Sequence, residues 1–453
     1  MSMIEKHDMT QGKILLPLVS FTIPLVLGNL FQLTYNAADS VIVGKYVGEQ
    51  ALAAVGTSTP IMNIAILLIS GMCMGASVLM SSQYGAKDYD TLSKQISTTM
   101  LAGCGFSVVF SLLMLLLATP VLRLIRVPET AIPEAAVYLR IIFLGLIFTF
   151  IYNFLANTMR ALGDSKTPLY FLVTSAFLNI FGDLFFVVVL RWGVAGSAIA
   201  TVCSESLCCL LCGIYIKKKI PLLCLGKKWW VFDKSLLGKT VSYGSTSAMQ
   251  QVCLQLGKLI IQSVVNTQGV AVMAAFTAVN RVDDFAYTPQ QNIGHAMTTF
   301  LAQNKGAGHK ERMKKGFQTG LLIELVYSIG LFAVIWGLAW QIMTLFAEDG
   351  DAQVVSLGIS YLHLISWMYI LPGMTNGIQG FFRGIGDLKV TLYSTFMNML
   401  GRVVAVFVML RLLHMDFASL AWANMIGWIV MLLFEIPLLV KSLRSGECRW
   451  SER

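Results

Sequence analysis

Long apolar runs separated by short polar segments recur along the whole 453-residue chain. The hydrocarbon core of a bilayer is about 30 Å thick, and a helix needs about 20 apolar residues to cross it. Because the backbone must satisfy its own hydrogen bonds within lipid, such runs fold as helices. Twelve runs are long enough, at about 14–38, 51–80, 95–118, 134–158, 168–190, 194–216, 240–264, 271–300, 317–341, 356–381, 389–411 and 417–440. The sequence therefore predicts an all-α polytopic membrane protein with 12 transmembrane helices.

The composition argues against soluble classes of protein. Only 13% of the residues are charged and 56% are hydrophobic, whereas soluble domains are about 25% charged. The net charge of +9 is gathered in short loops, so nucleic-acid binding is not expected. No phosphate-binding loop or H-E-x-x-H motif is present, and the pair Cys209 and Cys212 lies among leucines, which disfavours zinc or redox chemistry. We expect neither an enzyme nor a cofactor.

The distribution of Lys and Arg predicts the orientation, because cytoplasmic loops carry an excess of both. With the N-terminus inside, 24 of these residues fall in cytoplasmic segments and seven of them lie in the stretch 217–239. Only Lys45, Arg123, Arg126, Arg191 and Arg411 fall outside. Both termini are therefore predicted to be cytoplasmic.

The two halves of the chain resemble each other. Three features repeat at an offset of 223 residues: Arg160-Ala-Leu-Gly163-Asp164 and Arg383-Gly-Ile-Gly386-Asp387; Gln32, Tyr35 and Asp39 with Gln255, Lys258 and Gln262; and Val194-Ala195 with Phe417-Ala418. Six helices return the chain to the same side, so the repeats are parallel, as in many transporters. We predict a six-helix lobe at 1–216, a cytoplasmic linker at 217–239, a second six-helix lobe at 240–441 and a cytoplasmic tail at 442–453.

Several motifs point to one family. They are Pro17, Pro24, Asp39 and Gly44 in the first span, Gln83-Tyr-Gly85-Ala86 after the second, the paired R-x-x-G-D loops, and Asn179-Ile-Phe-Gly-Asp183 in the fifth. Along essentially its whole length the chain resembles the multidrug and toxic compound extrusion (MATE) transporters, in their prokaryotic DinF-like branch. The resemblance implies a V-shaped pair of lobes and a cation-coupled exporter in the bacterial cytoplasmic membrane. Thr246 stands where second halves of the family often carry Pro, which leaves the bend of the seventh helix open.

Four polar residues are predicted to meet in the outer half of the first lobe. An ionisable residue at membrane depth faces a cavity or a partner, and a rise of about 1.5 Å per residue places Asp39, Asn179, Asp183 and Thr201 at similar depths. Two carboxylates, an amide and a hydroxyl suit H⁺ or Na⁺, and the family resemblance implies the same site with Tyr138 as an associated residue. The alternative is that Asp39 caps the first helix and Asp183 makes a structural hydrogen bond.

The second half is expected to lack this site. At an offset of 223 the partner of Asp39 is Gln262, and at an offset of 219 the partner of Asp183 is Arg402. A polar stripe on the seventh span must face a cavity or another helix, so it contacts either substrate or neighbouring helices. The candidate substrate-binding residues are Gln32, Tyr35, Gln251, Gln255, Lys258 and Gln262.

Local ion pairs are also expected at three places. Arg281 and Asp284 are three residues apart, which places them on one helical face. In each R-x-x-G-D loop the Gly supplies a turn across which Arg and Asp can pair, either as a structural latch or as a gate.

Three functions are compatible with the sequence. The first is an H⁺- or Na⁺-coupled antiporter that exports amphipathic, often cationic organic compounds by alternating access. The second is a flippase for a lipid-linked saccharide on a related two-lobe fold, whose cavity should be rich in Arg and Lys. The third, an intramembrane enzyme, needs a catalytic constellation that the sequence does not contain. The expected partners are a small organic substrate and the lipid bilayer, with the protein acting as a monomer.

Overall fold

The structure is a computed structural model that describes residues 8–125, 127–220, 230–346 and 352–444, all of whose regular structure is helical. The helices are α1 (Leu15–Tyr46), α2 (Glu49–Gly85), α3 (Tyr89–Leu124), α4 (Ile132–Ala161), α5 (Lys166–Asp183), α6 (Gly193–Lys219), α7 (Lys234–Val265), α8 (Val270–Gly306), α9 (Lys310–Phe346), α10 (Ala352–Ser366), α11 (Ile370–Gly384), α12 (Leu388–Val406) and α13 (Ser419–Arg444).

These helices confirm the predicted fold class of an all-α polytopic membrane protein. A 3-10 turn at Trp367–Tyr369 joins α10 to α11 within one span, so the described helices make two sets of six spans. Ten spans are long and apolar enough to cross a membrane by themselves. The other two, α7 and α8, carry more polar residues. α7 continues as one helix through Thr246, whose hydroxyl donates to the Ser242 carbonyl at 2.7 Å.

The described residues form two compact units. The first contains Asp8 and the described part of Ile23–Ala248, and the second contains Met9–Thr22 together with the described part of Met249–Arg453. Helices α1 and α7 therefore each begin in one unit and end in the other. Parts of two predicted segments, the linker at 217–239 and the tail at 442–453, lie outside the described residues.

The first unit packs around α4. Phe143, Phe150 and Phe154 are buried in its core, and a Cβ atom added at Gly103 on α3 would overlap the ring of Phe150. Small residues let helices approach closely in lipid, where apolar burial alone drives little association. The glycine therefore sets the distance between α3 and α4.

The second unit packs around α8, α9 and the α10–α11 span. Its core includes the fully buried rings of Tyr361 and Tyr369. The chain that leads into α1 is anchored on this unit, because Arg312 on α9 donates to the carbonyls of Gln11 and Gly12, each at 2.7 Å.

The repeat is visible in an irregular feature of the backbone. A π-helical turn at Leu184–Val189 follows α5, and another at Phe407–Leu412 follows α12. The two turns lie at an offset of 223 residues, so Asp183 corresponds to Val406. The predicted alignment of Asp183 with Arg402, at an offset of 219, is therefore wrong. The expectation that the second unit has no acid at this position still holds, because the equivalent residue is Val406.

Each R-x-x-G-D loop directly precedes a helix, which is α5 in the first unit and α12 in the second. Gly163 has a φ of 90°, a conformation that glycine adopts readily. The Asp164 carboxylate accepts hydrogen bonds at 3.0 Å from the backbone N–H groups of Lys166 and Thr167, which satisfies free donors at the start of α5. In the second loop Arg383 donates to Thr298 Oγ1 at 3.3 Å. The predicted Arg–Asp pairing is therefore wrong for Asp164, which caps α5, and for Arg383, which bonds to Thr298.

An exposed capping residue starts α3 outside the membrane span. The Asp88 carboxylate accepts a hydrogen bond from the backbone N–H of Thr91 at 3.1 Å. The hydrogen bonds from the Thr91 side chain and backbone hold the pKa of Asp88 below its usual value, because they favour the ionised form.

The contact between α2 and the first part of α7 provides a test of this packing. A Cβ atom added at Gly75 on α2 would clash with the carbonyl oxygen of Tyr243 on α7. A Cβ atom added at Gly105 on α3 would meet no atom within 4 Å. Gly75→Ala should lower the melting temperature of the purified protein, because overpacking costs about 1–3 kcal/mol. Gly105→Ala is the control and should leave it unchanged or raise it, since Ala favours a helix. Equal melting temperatures for the two variants would contradict the close α2–α7 contact.

Candidate cation site

Close packing of α5 against α6 brings polar residues of the first unit together. A Cβ atom added at Gly182 would lie 3.0 Å from the Cβ of Ala200, so no larger residue fits between these helices. Asn179 and Asp183 are both buried and lie four residues apart on one face of α5. That face meets the part of α6 that carries Ser197 and Thr201.

The site contains two facing carboxyl groups. Asp39 Oδ1 accepts a hydrogen bond from Ser197 Oγ at 2.7 Å. The side chain of Asp183 is fully buried and lies within hydrogen-bonding reach of Asp39. Neither oxygen of Asp183 accepts a hydrogen bond from any described residue. If both groups were ionised they would repel each other in a low-dielectric site, so a shared proton or a bound cation would stabilise the pair.

The alternative roles do not fit these contacts. Asp39 lies seven residues before the end of α1 at Tyr46, which is too far from the terminus for a capping residue. Asp183 has no donor among the described residues, so it does not make the structural hydrogen bond considered above.

An amide and a hydroxyl extend the oxygen-rich surface. Asn179 Nδ2 donates to Thr201 Oγ1 at 3.2 Å, and Thr201 Oγ1 donates to the Ser197 carbonyl at 3.2 Å. This leaves Asn179 Oδ1 buried and without a described donor. Unpaired amide and carboxylate oxygens are the atoms that a hard cation prefers. The set therefore fits Na⁺ as well as H⁺.

The backbone next to Asp183 is irregular. The π turn begins at Leu184, directly after the acid, and Leu190 N donates to Phe185 O, five residues earlier. Such turns are rare and occur frequently at functional sites. The turn therefore starts at the end of α5 that carries Asp183.

A further acid of the first unit, Glu205 on α6, was not predicted near the site. Thr149 Oγ1 donates to its carboxylate at 2.5 Å. Glu205 acts electrostatically on both Tyr35 and Tyr138. The spacing on α6 could have revealed it, because residues 197, 201 and 205 follow each other at intervals of four on one helical face.

Tyr138, predicted from the resemblance, lies beside the two carboxylates. The side chain of Tyr138 is buried and interacts electrostatically with both Asp39 and Asp183. Its hydroxyl is 4.0 Å from the sulfur of Met62. All five residues predicted for cation coupling therefore lie in the same part of the first unit.

The candidate substrate residues fall into two groups. Gln32 and Tyr35 belong to the first unit and bond to each other. Gln251, Gln255, Lys258 and Gln262 belong to the second. Gln262 Nε2 donates to Asn266 Oδ1 at 2.7 Å.

Lys258 is engaged in an ion pair. Its Nζ lies 3.1 Å from Asp284 Oδ1, with both side chains about half exposed. The predicted pair of Asp284 with Arg281 is therefore wrong, since α7 supplies the partner of Asp284.

The second unit holds a buried acid whose surroundings differ from those of Asp183. Asp283 Oδ2 accepts from the Tyr361 hydroxyl at 2.8 Å, and Oδ1 accepts from the Tyr369 hydroxyl at 2.5 Å. Asn424 donates in turn to the Tyr361 hydroxyl at 2.8 Å. Both carboxylate oxygens of Asp283 thus have donors, and no second carboxylate faces it through these contacts.

Metal-binding clusters of other kinds are not found within the described ranges. No group of three or more His, Cys, Asp or Glu residues could hold a metal ion there. Cys208 and Cys212 are free, buried thiols, and Cys208 donates to the Phe171 carbonyl at 3.1 Å.

Comparisons with known proteins agree on one family. The MatE family model matches residues 24–185 and 247–408, two segments at the same offset of 223 residues. The chain is 32% identical over 392 residues to the "probable multidrug resistance protein YpnP" of Bacillus subtilis, covering 86% of each chain. It is 20% identical to the "multidrug export protein MepA" of Staphylococcus aureus, covering 82% of this chain and 81% of the relative.

A solved structure shares the fold. It is described as the outward-facing conformation of a multidrug resistance MATE family transporter, and it matches with a TM-score of 0.90 at 21% identity over 98% of both chains.

The strain between the two carboxylates predicts an effect on stability. Asp183→Asn removes a charge that has no donor, so it should leave the protein folded and should raise its melting temperature at alkaline pH. The wild-type melting temperature should fall as the pH rises, because the folded state then loses a proton that it binds more tightly than the unfolded state does. Thermal unfolding of both proteins at neutral and alkaline pH, without Na⁺, measures this. Asp416→Asn, in an exposed loop, is the control. Parallel pH curves for Asp183→Asn and the wild type would contradict a strained pair.

Proposed function

The chain belongs to the multidrug and toxic compound extrusion (MATE) family, and we propose that it exports amphipathic, often cationic organic compounds in exchange for H⁺ or Na⁺. Curated relatives carry names that refer to multidrug resistance and multidrug export, which supports the class of substrate. One observation carries the proposal of coupling. Asp183 is a fully buried acid without a described donor that lies within reach of Asp39.

Binding of the ion neutralises this pair. In the ion-free site the two carboxylates repel each other, which favours separation of the helix segments that carry them. A proton or Na⁺ removes the repulsion and draws α1, α5 and α6 together.

Exchange follows from thermodynamic reciprocity. If binding of the ion favours the arrangement that releases substrate, then substrate must weaken binding of the ion by the same factor. Alternation between the two arrangements moves the ion inward and the substrate outward. This is alternating access, driven by differential affinity for two states.

Substrate recognition is assigned to polar and aromatic residues near the pair and on α7. Glu205 offers a negative charge beside Tyr35 and Tyr138, which suits a cationic aromatic compound. Gln32, Gln251, Gln255 and Gln262 can supply adaptable hydrogen bonds. Lys258 is a poor anchor for an anion, since Asp284 already neutralises it.

The flippase alternative is not favoured. A carrier of pyrophosphate needs several cations in its binding region, whereas the charged side chains that meet at the candidate site are those of Asp39 and Asp183. In the second unit Lys258 is paired with Asp284. The names of the relatives also refer to drugs.

Transport in proteoliposomes tests the coupling. Efflux of a fluorescent organic cation should be driven by a pH gradient or by a Na⁺ gradient, each imposed separately. Asp39→Asn and Asp183→Asn should each reduce ion-driven transport to the level of empty vesicles, because neither can hold the ion. Asp416→Asn should transport like the wild type. The double variant should lose little more than either single variant, since both residues serve one function.

Two results would contradict the proposed function. If either single variant keeps near-wild-type ion-driven transport at matched expression, that carboxylate is structural and the proposed site is wrong. If neither gradient drives any tested organic cation in the wild type, then the proposed substrate class is wrong.

A further inference from the structure

The helix that spans α10 and α11 is broken in the second unit. The 3-10 turn at Trp367–Tyr369 interrupts it, and Pro372 in the next turn has no backbone N–H to donate. Carbonyl groups at such a break need other donors, because an unsatisfied group within lipid is costly. The Tyr369 carbonyl accepts a hydrogen bond from Gln290 Nε2 on α8 at 2.8 Å. The Ser328 hydroxyl on α9 lies 3.3 Å from the same carbonyl and 2.7 Å from the carbonyl of Glu324.

A buried acid lies beside these two side chains without a partner. Glu324 on α9, one turn before Ser328, is 1% exposed. Neither of its carboxylate oxygens accepts a hydrogen bond from any described residue. The amide oxygen of Gln290 is also buried and has no described donor. Both side chains thus carry buried acceptor atoms that no described group satisfies.

Gly373 leaves the space in which these groups converge. A Cβ atom there would lie 3.0 Å from Ser328 Oγ, 3.2 Å from Gln290 Nε2 and 3.3 Å from Glu324 Oε2. The three side chains therefore surround one point beside the first turn of α11. A carboxylate and an amide oxygen can only accept, whereas a protonated carboxylic acid can donate.

No described cation compensates Glu324. On α9, Tyr327 donates to the Ala286 carbonyl at 3.1 Å. On α8, the charge of Asp283 is held by Tyr361 and Tyr369, and Asp284 is paired with Lys258.

The basic groups of α10 and α11 lie elsewhere. His363 on α10 stacks on Trp336, twelve residues beyond Glu324 along α9. Arg383 on α11 is ten residues beyond Gly373, or about 15 Å along the helix. An ionised Glu324 would therefore be an unpaired buried charge, which is strongly unfavourable.

We propose that Glu324 is a second proton-binding site, separate from the Asp39–Asp183 pair. The proton lets Glu324 donate to the Gln290 amide oxygen, which fixes the amide whose Nε2 holds the Tyr369 carbonyl. Proton binding thereby closes a latch on the break between α10 and α11. Loss of the proton leaves the Gln290 oxygen without a donor, introduces a charge and loosens the break.

Infrared spectroscopy of the full-length protein in lipid nanodiscs tests the protonation directly. The wild type should show a carboxylic-acid C=O band at neutral pH that Glu324→Gln lacks. Glu311→Gln, in the exposed first turn of the same helix, is the matched control and should leave the band unchanged. If the wild type and Glu324→Gln have identical C=O bands at neutral pH, Glu324 is ionised and the proposal is wrong.

Hydrogen–deuterium exchange of peptides that cover residues 364–375 tests the latch. After correction for intrinsic rates, wild-type exchange should rise about fivefold as the acid band disappears at alkaline pH, the factor expected from the loss of one hydrogen bond. Glu324→Gln should exchange slowly at every pH, because an amide can still donate to Gln290. If the exchange rate of the wild type stays constant while its acid C=O band disappears, the proposed latch is wrong. This measurement needs only the wild-type protein. Failure of Glu324→Gln to fold would also count against the proposal, since the amide reproduces the hydrogen bonds of the neutral acid.

Discussion

The arrangement of the first unit depends on one electrostatic constraint. Asp183 is a fully buried carboxyl group without a described donor, and Asp39 lies within its reach. Charges within a bilayer need a partner, and here the nearest ionisable partner has the same sign. The close approach of α5 and α6 at Gly182 and the π turn after Asp183 lie directly beside these acids. The proposed cation would relieve the repulsion between the two carboxylates when both are ionised.

The buried acids of the two units are satisfied in different ways, and the difference indicates what each can do. Asp283 has two tyrosine donors, so it can stay ionised without a bound cation. Asp183 has none, and the corresponding position of the second unit is Val406. Glu324 has no described donor either, and its proposed hydrogen bond to the Gln290 amide oxygen requires the neutral acid. These three acids thus differ: Asp283 is a structural carboxylate, whereas Asp183 is half of the proposed ion site and Glu324 is the proton-binding group of the proposed latch.

The sequence was sufficient to predict the spans and part of the site, because both follow from one-dimensional spacing. Helix length sets the spans, and a rise of about 1.5 Å per residue brought Asp39, Asn179, Asp183 and Thr201 to one region. Contacts that depend on how helices rotate against each other were not predictable. The pairing of Lys258 with Asp284 and the hydrogen bond from Ser197 to Asp39 belong to this class. The break at Trp367–Tyr369 was also missed, since its donors come from α8 and α9 rather than from its own segment.

The most direct measurement is the release of the coupling ion when substrate binds. Purified protein in weak buffer is mixed with substrate while a pH dye and a Na⁺-selective electrode record both ions. If Asp39 and Asp183 share one cation, the wild type should release about one H⁺ or one Na⁺ per protein on saturation, as reciprocity requires. Asp39→Asn and Asp183→Asn should release neither ion while still binding substrate. Release of the same amount by Asp183→Asn and the wild type would contradict the shared site.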